Sequence, residues 1–196
     1  MDSGDKHPIL IGDSYVAEKE WEQKLDLAEA KANQEYLNFI NPEPDYQVIR
    51  RIEGADVRIT FKEATTSPYR TDTPYTVYET DTMRYTMDSR QHLVVWISPI
   101  AEPQAAAGLS IPELEKIARK MIALVSPEIN LDSLTYSFGQ KTLTDSSGQE
   151  IGNYFFRWED LTKPVLDDGR SYPFVQVGLN GKGELLNYTN TLPMAR

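Results

Sequence analysis

Two stretches of similar sequence decide the fold that we expect for this chain. Residues 83–97 are MRYTMDSRQHLVVWI and residues 175–189 are VQVGLNGKGELLNYT, and they align without a gap at a separation of 92 positions. Each stretch has two apolar runs around a turn, which is typical of a β-hairpin. Three of the aligned pairs are Met87 with Leu179, Asp88 with Asn180, and Trp96 with Tyr188. The alignment predicts an internal repeat.

A helix is predicted ahead of each group of strands. Residues 14–40 place an apolar side chain at every third or fourth position, and Asn41-Pro42 ends this pattern. Residues 110–126 have the same periodicity and begin with Ser110 and Glu113 in the spacing of a capping box. Short apolar runs separated by turns follow each helix, which favours antiparallel strands.

These elements predict an α+β fold of two tandem units, each an amphipathic helix packed on one face of an antiparallel β-sheet. We expect residues 46–52 (YQVIRRI) to be the first strand and residues 64–74 to be a loop. The predicted division of the chain is an N-terminal extension, a first repeat, a Pro-, Ala- and Gly-containing linker, and a second repeat, at residues 1–13, 14–100, 101–109 and 110–196.

Composition limits the function. The chain has 196 residues and a net charge of −10, so it would repel nucleic acid, and no nucleic-acid partner is expected. Cysteine is absent, which excludes disulfides, thiolate nucleophiles and cysteine-ligated metals. No apolar run approaches the length of a transmembrane helix, and no signal peptide is recognisable. A membrane tether through a removed N-terminus stays open as an expectation.

The second half resembles a family. Residues 109–192 have a capped helix, then strands that include NYFFRWED and YPFVQVGLNGKGELLNYTN, and this order is similar to a PepSY-type domain. The resemblance extends less closely to the first half and also suggests cystatin-like architecture. It implies a noncatalytic module of bacterial cell-envelope or secreted proteins, best known from protease propeptides, where it inhibits or chaperones the peptidase. It implies an extracytoplasmic, anchored or secreted protein without catalytic residues or cofactors.

The segment Gly12-Asp13-Ser14 imitates the nucleophile motif of lipase-like hydrolases, because a helix follows it. Acylation also needs a histidine to take the serine proton and an aspartate to orient that histidine. The chain has only His7 and His92, and neither stands in the Asp-x-x-His pattern of such enzymes. We therefore expect the motif to cap a helix and the chain not to be an enzyme.

No metal site is predicted. Two histidines need carboxylates to complete a zinc site, and His92 is expected to be an exposed turn residue. The acidic clusters lack the spacing of a calcium loop. A glycosidase-like pair among 30 acidic residues is not marked by any pattern.

Aromatic residues are predicted on both faces of the second sheet. In NYFFRWED, alternation places Tyr154, Phe156 and Trp158 on one face and Phe155 and Arg157 on the other. The face without the helix then carries the candidate partner-binding residues, which are Phe155, Arg157, Tyr172, Phe174 and Gln176. The structural alternative is that this face packs against the first repeat.

The sequence thus favours a binding module for a protein or peptide of the cell envelope, acting through that face or an exposed strand edge. The alternative is a small-ligand-binding protein with a pocket between a curved sheet and its helix.

Overall fold

The computed structural model describes residues 43–67, 70–101, 103–144, 148, 150–166 and 169–194. The N-terminal extension and the helix predicted over residues 14–40 lie outside these residues. The described helices and strands, in chain order, are α1 (Glu43–Glu53), β1 (Thr60–Ser67), β2 (Arg70–Glu79), β3 (Met83–Asp88), β4 (Leu93–Pro99), α2 (Ile111–Val125), β5 (Thr135–Thr144), β6 (Glu150–Glu159), β7 (Phe174–Asn180) and β8 (Leu185–Asn190). Short 3₁₀ turns span Leu131–Ser133 and Leu192–Met194.

All eight strands belong to one antiparallel sheet. The strand order is β1-β2-β3-β4-β8-β7-β6-β5, so each group of four forms a meander. The two meanders join where β4 pairs with β8, with Trp96 opposite Thr189 and Ile97 opposite Tyr188. The fold is therefore mixed helix and antiparallel sheet, as predicted, and the sheet dominates it.

One row of directly paired residues crosses the sheet on the helix side. Because directly opposite residues in antiparallel strands share a face, the pairing carries this apolar row through every strand. The row consists of Phe61, Tyr78, Tyr85, Ile97, Tyr188, Val177, Phe156 and Phe138. Most of these side chains are fully buried together with Ile49 of α1 and Leu114, Ala118 and Ile122 of α2. Both helices therefore contribute to one core on one face.

Helix α1 replaces the strand predicted for residues 46–52, and that prediction is wrong. Glu43 and Asp45 stand in its first turn and two arginines stand in its last turn, which suits the helix dipole. Tyr46, Ile49 and Ile52 follow one another at intervals of three and contribute to the core. The order of apolar and polar residues in this stretch also suits a short helix. In the helix, Ile49 is buried against the sheet.

The loop predicted for residues 64–74 is also wrong. Strand β1 continues to Ser67 and β2 starts at Arg70, so most of this stretch is paired. Threonines favour strands, and Pro74 is tolerated because it pairs only with the edge strand β1. By contrast, β3 occupies the stretch predicted for it.

Helix α2 is confirmed with its capping box. The main-chain N–H and the hydroxyl of Ser110 donate to Glu113 Oε2 at 2.8 and 2.6 Å, and these contacts hold the pKa of Glu113 below its usual range. At its other end, Arg51 of α1 donates to the carbonyl of Val125 at 3.0 Å. No described helix combines the length and apolar character that a membrane span requires.

The centre of the sheet is tied to the end of α2. The hydroxyls of Tyr188 and Ser126 lie 2.8 Å apart, and both residues are buried. Burial raises the pKa of Tyr188, so this hydroxyl stays neutral. The β4–β8 junction is thus covered by a hydrogen-bonded aromatic side chain.

Replacement of Tyr188 by alanine should lower the free energy of unfolding by about 3–5 kcal/mol, because it leaves a cavity where the two meanders meet. Urea denaturation followed by circular dichroism measures the effect. Leu161→Ala is the control, since Leu161 is 50% exposed and its loss should change stability by less than about 0.5 kcal/mol. Equal effects of the two substitutions would contradict the assigned role of Tyr188.

Candidate functional site

The sheet face opposite the two helices, called the free face here, is the candidate contact surface. A second row of directly paired residues crosses it from β1 to β5. This row consists of Glu63, Val77, Thr86, Trp96, Thr189, Gln176, Arg157 and Ser137. Unlike the helix-side row, it mixes charged, polar and aromatic side chains.

The structure brings four of the five predicted contact residues together on the free face. Phe155 and Arg157 lie on β6, and Phe174 and Gln176 lie on β7, with Arg157 directly opposite Gln176. Tyr172 precedes β7 and belongs to the connection between β6 and β7, where it is 38% exposed. The predicted alternation along β6 is confirmed, because Phe156 and Trp158 are buried beneath α2 on the other face.

The strands of the first half do not pack against this face. They continue the same sheet through β4 and β8, so they lie beside the second half. Residues 14–42 of the predicted first repeat lie outside the described residues. Edge-to-edge pairing satisfies main-chain groups that would otherwise be exposed at the ends of two separate sheets.

The guanidinium group of Arg157 lies over the ring of Phe174. Its guanidinium carbon lies 3.6 Å from the centre of the Phe174 ring, a cation–π contact, and its Nε lies 3.0 Å from Glu159 Oε1. The Nε–Glu159 contact is an ion pair without hydrogen-bond alignment, so Nε has no hydrogen-bond partner among the described residues. Phe174 itself is only 4% exposed. The guanidinium group of Arg157 is therefore the accessible group of this pair, and the ring of Phe174 is buried beneath it.

Phe155 lies across Gly178 of the neighbouring strand. A Cβ atom at Gly178 would come within 3.0 Å of the Phe155 ring and 3.1 Å of Asn187 Oδ1. Asn153 and Asn187 have buried Oδ1 atoms that accept no hydrogen bond from the described part of the chain. Buried acceptors without donors are costly, so this region of the free face has unused hydrogen-bonding capacity.

Trp96 belongs to this surface and was missed by sequence reasoning. It is 37% exposed and stands directly opposite Thr189. Simple alternation would place it with Val94, which is buried on the helix side. A β-bulge at Val95 separates the two, because Thr86 pairs with Trp96 while Met87 pairs with Val94. The only signal was the uninterrupted apolar run from Val94 to Ile97.

The lengths of the two turns correct the gapless alignment of the two hairpins. Both hairpins carry an equivalent bulge, because Leu186 is skipped where Gly178 pairs with Asn187 and Leu179 with Leu185. Four residues separate Asp88 from its partner Leu93, whereas three separate Asn180 from Glu184, whose carbonyl accepts from the Asn180 N–H. The position equivalent to Trp96 is therefore Asn187, and the alignment of Trp96 with Tyr188 is wrong by one residue. Because side chains alternate between faces, this shift moves the partner of Trp96 to the other side of the sheet.

The free face of the first half differs. Tyr75 and Val95 are buried there with Leu166 and Met194, which come from the β6–β7 connection and from the turn after β8. Nearby, Glu79 contacts Lys62 Nζ at 2.8 Å and Arg84 Nε at 2.9 Å. The hydrogen bond from Lys62, followed by the smaller effect of the one from Arg84, holds the pKa of Glu79 below its usual range.

A titratable cluster lies on the helix side at Asp45. This fully buried carboxylate accepts hydrogen bonds from Tyr78 at 2.9 Å and Thr76 at 3.3 Å, and its other oxygen lies 2.9 Å from His92 Nδ1. Burial raises the pKa of Tyr78. His92 lies in the predicted turn with a φ of 56°, and its side chain is 34% exposed. The predicted turn position is therefore confirmed, whereas the contact with Asp45 was not predicted.

This cluster holds α1 against β2 and the β3–β4 turn. Ser89 Oγ donates to Thr76 Oγ1 at 3.2 Å, which connects the turn to β2. Gly12-Asp13-Ser14 and His7 lie outside the described residues. Within the described ranges, no group of three His, Asp or Glu side chains could hold a metal ion.

Comparisons of this chain with protein-family models, with curated proteins and with solved structures found no match.

Gly178→Ala should destabilise the protein by about 1–3 kcal/mol, because the new methyl group collides with Phe155. Gly139→Ala is the matched control, because Gly139 of the edge strand β5 lies on the other side of Phe155. Its Cβ would meet only Phe155 Cβ, at 3.9 Å. Urea denaturation measures both variants. If Gly178→Ala is as stable as Gly139→Ala, the Phe155 ring does not occupy the position described.

The Glu79 cluster predicts a pH dependence. Because the folded-state pKa of Glu79 is lowered, its contribution to stability is complete above its unfolded pKa and is lost as pH falls through the folded value. The difference in urea midpoint between wild type and Glu79→Gln should be largest near neutral pH and shrink below about pH 4. A difference that grows on acidification would contradict this.

Proposed function

We propose that this chain is a noncatalytic binding module whose free face contacts a protein or a peptide-like ligand. The observation that carries the proposal is the group of accessible side chains around Trp96, Phe155 and Arg157. Tryptophan, phenylalanine and arginine are enriched in binding surfaces and in their energetic centres. Arg157 is already ordered by Phe174, so little side-chain entropy would be lost when a partner binds.

Two amide oxygens bear on the chemistry of the partner. Asn153 and Asn187 flank Phe155 on the free face, and their buried Oδ1 atoms accept no hydrogen bond from the described residues. An N–H group of a peptide main chain or an amide side chain would reach these oxygens only after the side chains that cover them move. A purely apolar ligand would leave them unsatisfied in either case.

The proposed module consists of two tandem units, each a helix followed by four antiparallel strands. Three parallels support this. Both third-to-fourth strand hairpins carry a bulge, at Val95 and Leu186. Asp88 and Asn180 each accept two main-chain N–H groups in the turn that follows. The units meet through their last strands, with Ile97 opposite Tyr188.

This arrangement is the one that the PepSY-type resemblance implies, and the proposal extends that resemblance to function. The module would then work outside the cytoplasm, as an anchored or secreted protein of the cell envelope, and peptidase modulation is one role it could have there. Residues 109–192 carry the resemblance, so the second unit is the better guide to the role.

A small-ligand function is the second candidate, and one observation favours it. An open pocket of about 540 Å³ is lined by apolar side chains at Met83, Pro99 and Leu185 and by charged ones at Lys182 and Glu184. Ala101 and residues 103–106 complete the lining. Its lining lies on strand ends and on the segment before α2, and not between the sheet and a helix as the sequence suggested.

The test replaces residues of the free face and measures the affinity of each variant for a purified partner. A partner captured from an envelope fraction should bind the Phe155→Ala/Arg157→Ala variant at least tenfold more weakly by calorimetry, a loss of about 1.4 kcal/mol or more. Trp96→Ala should also weaken binding, whereas Lys116→Ala/Lys120→Ala on the exposed side of α2 should not.

Melting temperatures of all variants are measured in parallel. Equal affinity of all three variants for the partner would overturn the proposal. A large loss of stability in Phe155→Ala/Arg157→Ala would place these side chains in a structural core instead.

A further inference from the structure

Strand β5 forms one border of the sheet. In the described part of the chain it pairs only with β6, through ten consecutive residues without a register shift. Residues 135–142 are exposed throughout. The outer main-chain groups of such a border strand are a template for pairing with another extended segment.

The opposite border is built differently. Strand β1 has register irregularities between Phe61 and Glu63 and between Thr66 and Ser67. Bulges and charges are the devices by which proteins prevent unwanted pairing at a sheet border. Strand β5 has no bulge and no proline, and Lys141 is its only charged residue. Of the two borders, β5 is the one that the described residues leave open to a further strand.

Two aromatic side chains give β5 a specific surface. Tyr136 is 39% exposed and Phe138 is 38% exposed, and both are fixed from one side. Their ring centres lie 5.3 Å from Trp158 and 5.4 Å from Phe156, respectively. Tyr136 also donates to Glu115 of α2 at 3.3 Å. The rings stand two residues apart, about 7 Å, which matches alternate side chains of an added strand.

Net charge and buried area distinguish two occupants of β5, a second copy of this chain and an extended peptide. A second copy of this chain would carry another net charge of −10, so two copies repel each other. Pairing of two β5 strands would bury one narrow strip on each copy, whereas a stable dimer buries about 1,200–2,000 Å². An extended peptide gains main-chain hydrogen bonds from the strand without needing a larger interface. The negative charge of the chain favours a basic peptide.

We propose that β5 is a docking strand that takes an extended, neutral-to-basic peptide segment as a ninth strand. Apolar side chains at alternate positions of that segment pack on Tyr136 and Phe138. This surface is separate from Trp96 and Arg157, so the proposal does not depend on what the free face binds.

The probe is a labelled nine-residue peptide of alternating valine and threonine with lysine at both ends, measured by fluorescence anisotropy at low salt. It should bind saturably, and the same peptide with glutamate ends should bind at least tenfold more weakly. Hydrogen exchange should slow in residues 135–144 and not in residues 60–67.

Two single-lysine variants give the control. Gly139→Lys places a charge at the middle of β5, where a side chain has space, since the nearest atom to its Cβ is 3.9 Å away. It should weaken peptide binding at least tenfold. Thr60→Lys adds the same charge to β1 and should leave the affinity within about twofold.

Absence of saturable binding, or equal weakening by both variants, would overturn the proposal. Dimerisation in sedimentation experiments that Gly139→Lys abolishes would also overturn it, because a second copy would then be the occupant of β5.

Discussion

The pairing of β4 with β8 is the contact on which the rest of the structure depends. It joins two meanders into one sheet, and with it the helix-side row of apolar residues becomes continuous from Phe61 to Phe138. In the described strands this junction has two directly paired positions, so side-chain burial must reinforce it. Ile97 and Tyr188 provide that burial, and the hydroxyl of Ser126 fixes Tyr188 beneath α2. Because both helices lie over this row, no described helix covers the opposite face.

The free face is not uniform, and its asymmetry follows from the connections between strands. The β6–β7 connection and the turn after β8 deliver Leu166 and Met194 onto Tyr75 and Val95 in the first half. The second half keeps Phe155 and Arg157 partly accessible, and Trp96 lies between the two regions. Accessible aromatic and guanidinium groups lie there beside buried amide oxygens that accept no hydrogen bond from the described residues, so the surface is chemically mixed.

Sequence patterns predicted most residues of the free face but not where that face begins and ends. Strict alternation along β6 was enough to separate Phe155 and Arg157 from Phe156 and Trp158. The same reasoning failed in β4, because a bulge at Val95 shifts the alternation, and Trp96 was therefore not recognised. It also placed Tyr172 in a strand that starts only at Phe174. A bulge adds one residue to a strand, so every later side chain of that strand lies on the opposite face from the one that simple alternation predicts. The amino-acid composition does not reveal it.

By itself the sequence determined the helix at residues 110–126, the two hairpins, most strands and the mixed helix-and-sheet class, because capping residues, turns and hydrophobic periods are local properties. Only the tertiary structure decided that residues 46–52 form a helix, that the two meanders share one sheet, and that His92 is anchored to a buried Asp45. Each of these depends on contacts between residues far apart in the chain. Such contacts outweigh local preferences of a few tenths of a kcal/mol per residue, so no local pattern could reveal them.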